Sequence, residues 1–342
     1  MDQGQSGRLA HRLCAGDERR RHTAGPAAAL LLPERLHHDR LDQTPLLSPP
    51  AVAGLRGRHS PAAAIAPQAS RGRGEKLLRL RPATAPLREY IAARQPGLFP
   101  GLAADWPAVH RWDFGFLAGL RPNMPIELVR GDRESAATHF TESTLGTYME
   151  SLARDDAAAE TLYLKEFNLV RRFPQLRADI SARKGLFPPR VVAPPPGVWV
   201  GPAGARTGAH YDLLGNIAIV IRGHKRFRLA PPGFVEKADA LSTKYDPWAR
   251  LSALPLTGIR TESVNPEERV YEIDLAAGDV LYVPEHWWHE VHNHSASILL
   301  SGFFGTYKHV ALCVAQVAAR HILHLAHLDR RTACTCHETD GR

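Results

Sequence analysis

The stretch AHYDLLGNIAIVIRGHKRF, residues 209–227, sets His210 and Asp212 two positions apart at the head of an apolar run. On an extended strand, residues i and i+2 lie on one face, roughly 6–7 Å apart along the chain. The imidazole and the carboxylate can therefore share one ligand, while Tyr211 points the other way. Such a pair is commonly no more than hydrogen-bonded neighbours, so a metal site needs a third donor. GDVLYVPEHWWHEVHN, residues 278–293, offers one. Gly278 and Asp279 read as a turn, Val280–Pro284 as a strand and Trp287–Asn293 as a second strand. On that second strand Trp287, His289, Val291 and Asn293 share one face, and Trp288, Glu290 and His292 the other. Periodicity alone does not choose between His289 and His292, and His286 and His294 crowd the same region. Two histidines and one carboxylate on adjacent strands are the donor set of non-haem Fe(II) oxygenases. Three protein ligands on one octahedral face leave positions open for a chelating 2-oxo acid and for O₂.

Strands must carry these groups, and the surrounding text supplies them. After the proline-rich break VVAPPPG come the short apolar runs VWVGP, NIAIVIRG, RFRLAPP, VYEIDLAAGDVLYVP, HEVHN and SASILLSGFF, separated by Gly and Pro. That density of strands and turns predicts an antiparallel sandwich or barrel. Upstream, the pattern predicts a helix over Leu87 to Arg94, a strand or turn through PGLFPGL, and a helix opening near Trp112. PIELVR and ETLYLKEF read as strands. STLGTYMESLARDD reads as an amphipathic helix capped by Ser143 or Thr144. The segment Val310 to Leu328 has helical spacing and suits packing on the domain or pairing two subunits.

The composition is uneven. All 25 aromatic residues lie at Tyr90 or later, and the first lysine is Lys76. Residues 1–74 hold 11 Arg against 6 acidic residues, so about +5 of the formal +8 charge sits in a stretch without aromatics. Residues 1–75 therefore read as an Arg/Ala/Pro-rich disordered leader, 76–308 as the folded domain, and 309–342 as a C-terminal helix and tail. The positive charge belongs to the leader and gives no strong nucleic-acid signal. No apolar run approaches the roughly 18 residues of a membrane span, and GPAAALLLP lacks the flanks of a signal peptide. The four cysteines, at 14, 313, 334 and 336, do not make a disulfide framework, and a reducing cytoplasm is expected. Cys334, Cys336 and His337 form an incomplete zinc set, and His321, His324 and His327 a helix stripe of the kind usually solvated.

The block AHYDLLGN…IRGHKRFRLAPP…AAGDVLYVPEHWWHEVHN, with LAADWPAVHRWDFGFL and TLYLKEF upstream, resembles the JmjC-like, cupin-type 2-oxoglutarate dioxygenases. The branch is that similar to the asparaginyl hydroxylase of hypoxia-inducible factor. The resemblance extends over residues 85–307 and implies a mainly β fold with flanking helices around a double-stranded β-helix, or jelly-roll, core. It implies Fe(II) held by His210, Asp212 and His289. Lys225 would hold the distal carboxylate of 2-oxoglutarate, Thr207 and Tyr163 would supply hydroxyls to it, and Asn216 would be a polar group near the iron. Ser301 or Gly302 stands where the closest relatives carry Asn, and Phe303 where they often carry Trp, so the primary substrate is expected to differ. The implied activity is hydroxylation of a C–H bond on a protein side chain or small molecule, with succinate and CO₂ released. Two rivals are a metal-dependent cupin enzyme not using 2-oxoglutarate and a non-catalytic metal- or ligand-binding cupin. Histone demethylation is not expected, since no reader domain accompanies the catalytic one. A homodimer through the C-terminal helix is expected by analogy with some relatives.

Overall fold

The computed structural model describes residues 77–132, 134, 137–154, 162–259, 269–329 and 333–336, all within the compact unit Asp39–Arg342. The leader expected over 1–75 lies outside them. The first half comprises β1 (Leu77–Arg79), α1 (Leu87–Ala93), β2 (Gly97–Phe99), α2 (Pro107–Arg111), α3 (Phe114–Leu120), β3 (Pro125–Arg130), β4 (Phe140–Thr144), α4 (Leu145–Ala153), β5 (Leu162–Phe167) and α5 (Leu169–Arg172). A 3-10 stretch, Pro174–Leu186, leads to the proline-rich break. Beyond it run β6 (Val191–Val192), β7 (Gly197–Gly201), β8 (Arg206–Asp212), β9 (Gly215–Arg222), β10 (Lys225–Ala230), α6 (Phe234–Lys237), β11 (Ala249–Leu251), β12 (Val270–Leu275), β13 (Val280–Val283), β14 (Trp288–Asn293), β15 (Ser297–Thr306) and α7 (Tyr307–Leu325).

One sheet has the order β1-β12-β10-β14-β8-β11; the other has β2-β13-β9-β15-β7-β5-β3-β4, with β6 on β15. From β7 onward the chain steps between sheets. β7, β9, β13 and β15 form the middle of one, and β8, β10, β12 and β14 the middle of the other. This is the double-stranded β-helix, with β1 to β5 extending its edges.

Period-two alternation sorts β9. Ile217, Ile219 and Ile221 join the helices of the first half in one apolar cluster. Ala218 and Val220 face inward and meet Phe227, Leu229, Ile273 and Val291 of the other sheet. The helices thus cover one face of the nine-stranded sheet, while the space between the sheets is packed at one end and left to polar groups at the other.

Several helix starts follow local chemistry. The side chains of Thr144, Asp113 and Thr306 accept from the backbone N–H of Thr147, Phe116 and His309, capping α4, α3 and α7. The helix expected near Trp112 is two: α2 opens with Pro107 at its first position, and α3 begins at Phe114. The C-terminal helix is Tyr307–Leu325, shifted from the expected Val310–Leu328 by its Thr306 cap. Among the described residues, no helix is long and apolar enough to cross a membrane.

Candidate metal and cosubstrate site

β14 lies between β8 and β10, and its inward residues build the site. His289 is paired in register with His210 and Leu229, and Val291 with Thr207 and Phe227. Asn293 pairs with Lys225. Since directly opposed residues share a face, His289, Val291 and Asn293 form the central rung of one interior surface. Val291 packs in the inter-sheet core, which fixes the face.

Strict alternation would put Thr207 and His210 on opposite faces, because they are three apart. The pairing of β8 with β14 shifts register between His289 and Val291, so Gly208 and Ala209 together oppose Glu290. This bulge restores the phase and brings both side chains inward. It also frees backbone groups. His210 Nδ1 lies 2.7 Å from Gly208 O, and the Gly208 N–H donates to Asp132 Oδ1 at 3.0 Å. His289 Nδ1 lies 3.0 Å from Trp287 O. A carbonyl oxygen only accepts, so in both rings Nδ1 carries the proton and Nε2 is the basic nitrogen. His210 Nε2 is 3.9 Å from Asp212 Oδ1, and His289 Nε2 is 3.5 Å from Asp212 Oδ2. The ligand atoms of the three residues lie within 4.8 Å of one another. Of the two histidines the sequence left open, His289 meets the pair; His292 faces outward beside Arg206 and Arg226 in register.

Electrostatics fit a cation at this point. Burial, and then His289, lower the pKa of His210; burial lowers that of His289 to about 4. Both rings are thus held neutral, as a metal ligand must be. Burial also raises the Asp212 carboxyl to about 6, with His210 opposing. Two neutral imidazoles oriented by backbone carbonyls, facing a desolvated carboxylate, match the two-histidine, one-carboxylate set suited to Fe(II).

At the other end of the rung, Lys225 is fully buried. Its Nζ donates to Tyr163 Oη at 3.0 Å and to Asn293 Oδ1. Thr207 and Asn293 also hydrogen-bond the Tyr163 hydroxyl. Asn293 is held in turn by Nδ2 donating to Pro202 O at 3.0 Å. Tyr163 reaches this point from β5 because β7 passes close: a Cβ on Gly201 would stand 2.6 Å from the Tyr163 ring. Burial, and then Lys165, push the Lys225 ammonium down to about 7. Lys165 is neutralised by Glu134, Nζ to Oε2 at 2.5 Å. Lys225 has three donor hydrogens and two neutral acceptors, so an anion is the partner its chemistry calls for.

Asn216 faces inward on β9 and accepts from Ser301 Oγ at 2.6 Å. Ser301, not Gly302, therefore occupies the interior position on β15; Gly302 faces the Arg183 and Phe187 side chains. Trp288 points outward, fully buried, with Nε1 donating to Glu236 Oε2 at 3.0 Å. The Glu134–Lys165 pair, Asn293 and Asp132 escaped sequence reasoning. Glu134 and Asp132 precede β4 in a segment without periodicity, and only the bulge brings them to Gly208.

The C-terminal stripe is not uniformly solvated. His324 is 4% exposed, and its Nδ1 lies 2.7 Å from Asp329 Oδ2. It joins Cys334 and Cys336, with ligand atoms within 4.8 Å of one another. His337 lies outside the described residues.

The chain matches the model of the cupin-like domain family over residues 82–308. It is similar to Jumonji C domain-containing protein 5 of Drosophila melanogaster, with 27% identity over 220 residues, 61% of this chain and 54% of that protein. A lysine-specific demethylase of Arabidopsis thaliana is 24% identical over 225 residues, 63% of this chain and 51% of the relative. A bifunctional peptidase and (3S)-lysyl hydroxylase of Homo sapiens is 22% identical over 254 residues, 64% of this chain and 79% of the relative. The chain thus spans about half the length of the first two.

Proposed function

The chain belongs to the cupin-like domain family, in its JmjC-like oxygenase branch, and from that premise we propose that it is an Fe(II)- and 2-oxoglutarate-dependent hydroxylase. The observation that carries this reading is the interior rung of β14. His289 and Asn293 stand on it four residues and roughly 13 Å apart along the strand, which supports a cation site at one end and an anion site at the other. A five-carbon dicarboxylate and the four-methylene stem of Lys225 suit that span. A cupin that binds metal without 2-oxoglutarate has no use for a buried lysine at the far end.

His210, Asp212 and His289 would hold the ferrous ion. Bound there, it would couple O₂ activation to decarboxylation of 2-oxoglutarate, giving succinate and CO₂ and passing one oxygen atom to a C–H bond. Lys225 binds the distal carboxylate by a charge-assisted hydrogen bond. Tyr163, kept protonated by burial, and Thr207 offer hydroxyls to the same group. Asn293 holds the ammonium in place. Gly208 O and Trp287 O keep the imidazole protons on Nδ1, turned away from Asp212. The apolar row of Val291, Phe227 and Ile273 excludes water between the two ends.

The relatives' names include a demethylase and a lysyl hydroxylase. Here a protein side chain or a small molecule is the proposed acceptor, with Ser301 and Phe303 shaping its side of the pocket. The test is a turnover screen with Fe(II), ascorbate and 2-oxoglutarate over peptide and metabolite pools. Succinate formation with a product heavier by one oxygen is expected. No succinate with any pool, together with no thermal shift on adding 2-oxoglutarate, overturns the reading.

A further inference from the structure

We propose that the C-terminal tail carries a second metal site, separate from the one in the barrel: a structural zinc ion held by His324, Cys334 and Cys336. The last turn of α7 presents His324, and residues 333–336 return to lie along Tyr245. The Tyr245 N–H donates to Ala333 O at 2.9 Å, and the Thr335 N–H to Tyr245 O at 3.0 Å. Cys334 is fully buried, and the Cys334 and Cys336 sulfurs are 3.1 Å apart. The imidazole of the third member is placed rather than incidental. Tyr245 stacks on it at 4.0 Å between ring centroids, and Asp329 engages Nδ1. A carboxylate on one ring nitrogen is the usual support of a metal-ligating histidine, and it commits Nε2 to the ion. Two thiols and an imidazole are soft to borderline donors that select zinc and fill three of its four tetrahedral positions. On binding, both thiols release their protons to solvent; no electron moves. A Cys334–Cys336 disulfide would need an external oxidant and has no use for the buried imidazole.

The ion would brace more than the tail. Thr335 Oγ1 donates to Asp246 Oδ2, while Asp246 Oδ1 accepts from the N–H groups of Trp248 and Ala249 at 2.8 and 2.7 Å. Ala249 is the register partner of Asp212 on β8. Thr138 Oγ1 donates to Cys334 O at 2.7 Å. Zinc at the tail would therefore stiffen the strand that backs the carboxylate of the barrel site.

The test uses the full chain carrying Asp212→Ala, so that the barrel site cannot retain metal. Elemental analysis after purification in reductant should find a single zinc per chain, falling about tenfold or more on adding Cys336→Ser or His324→Ala. Because those variants can fail to fold, the Asp212→Ala chain is also exchanged into cobalt(II), where thiolate-to-cobalt charge-transfer absorption is expected. Zinc content indifferent to Cys336→Ser, cobalt binding without that absorption, or a zinc-free chain lighter by two hydrogens, which marks a disulfide, would each overturn the proposal.

Discussion

At the His289 end of the β14 rung, burial works against an anion; at the Asn293 end, it works against a cation. Burial raises Asp212 to about 6 although His210 opposes it, and burial and then Lys165 lower Lys225 to about 7, its ammonium donating to a phenol and an amide. Among the described residues neither end has a counter-ion in direct contact, and in the proposed reading a ligand of opposite sign makes each loss good. A single molecule that binds a cation with one terminus and presents a carboxylate with the other would satisfy both. On the proposed reading, one strand with three inward side chains would specify both ends of a cosubstrate: desolvation creates the demand, and strand pitch sets the distance.

Removing the first end should have the largest effect. Asp212→Ala deletes the one carboxylate that, among the described residues, groups with both imidazoles. Turnover, measured as succinate release, should fall by more than the roughly 100-fold that loss of a supporting partner costs a metal site. Retained turnover would break the pairing of the two ends. Lys225→Met keeps the stem and removes the charge. A charge-assisted hydrogen bond is worth about 1.5–3 kcal/mol, so the 2-oxoglutarate Kd from calorimetry should rise roughly 10- to 100-fold, while Mn(II) binding is unchanged.

The two ends should also fail on opposite sides of neutrality. Asp212 takes up a proton as pH falls through about 6, and the ion must compete with it, so metal affinity should fall about tenfold per unit below that point. His289 stays neutral down to about 4 and does not set this limb. Lys225 loses its proton as pH rises through about 7, so dicarboxylate affinity should fall about tenfold per unit above it. Titrations showing both affinities moving in the same direction would contradict the comparison. The smallest effect belongs to Tyr163→Phe. It removes one neutral hydrogen bond of about 1 kcal/mol, which predicts about a fivefold rise in the 2-oxoglutarate Kd with turnover otherwise intact.

Much of this arrangement was legible in the residues. β3, β5, β9 and α4 follow their hydrophobic periods, and the His–Asp pair announces itself by spacing. β4, β6 and β11 did not, since β6 and β11 are two- and three-residue strands that exist only through their partners. The choice of His289 over His292 was hidden because a strand offers both faces, and only the Val291 contact with the core decides which is inside. The bulge is invisible for the same reason: Gly208 reads as any glycine until Glu290 is set opposite it. His324 met Cys334 only through the return of the tail along Tyr245, a contact across 10 residues that no local pattern encodes.

The extra residue at Gly208–Ala209 behaves like a gear tooth inserted between two halves of a ratchet. With it, one strand lends Thr207 to the anion pocket and His210 to the cation pocket. Pair the same residues one for one with β14 instead, and whichever half keeps its alignment turns the other outward, so a β8 of unchanged length without the bulge could retain either ligand but never both. Anyone grafting this pocket onto another barrel must transplant the odd count as faithfully as the side chains.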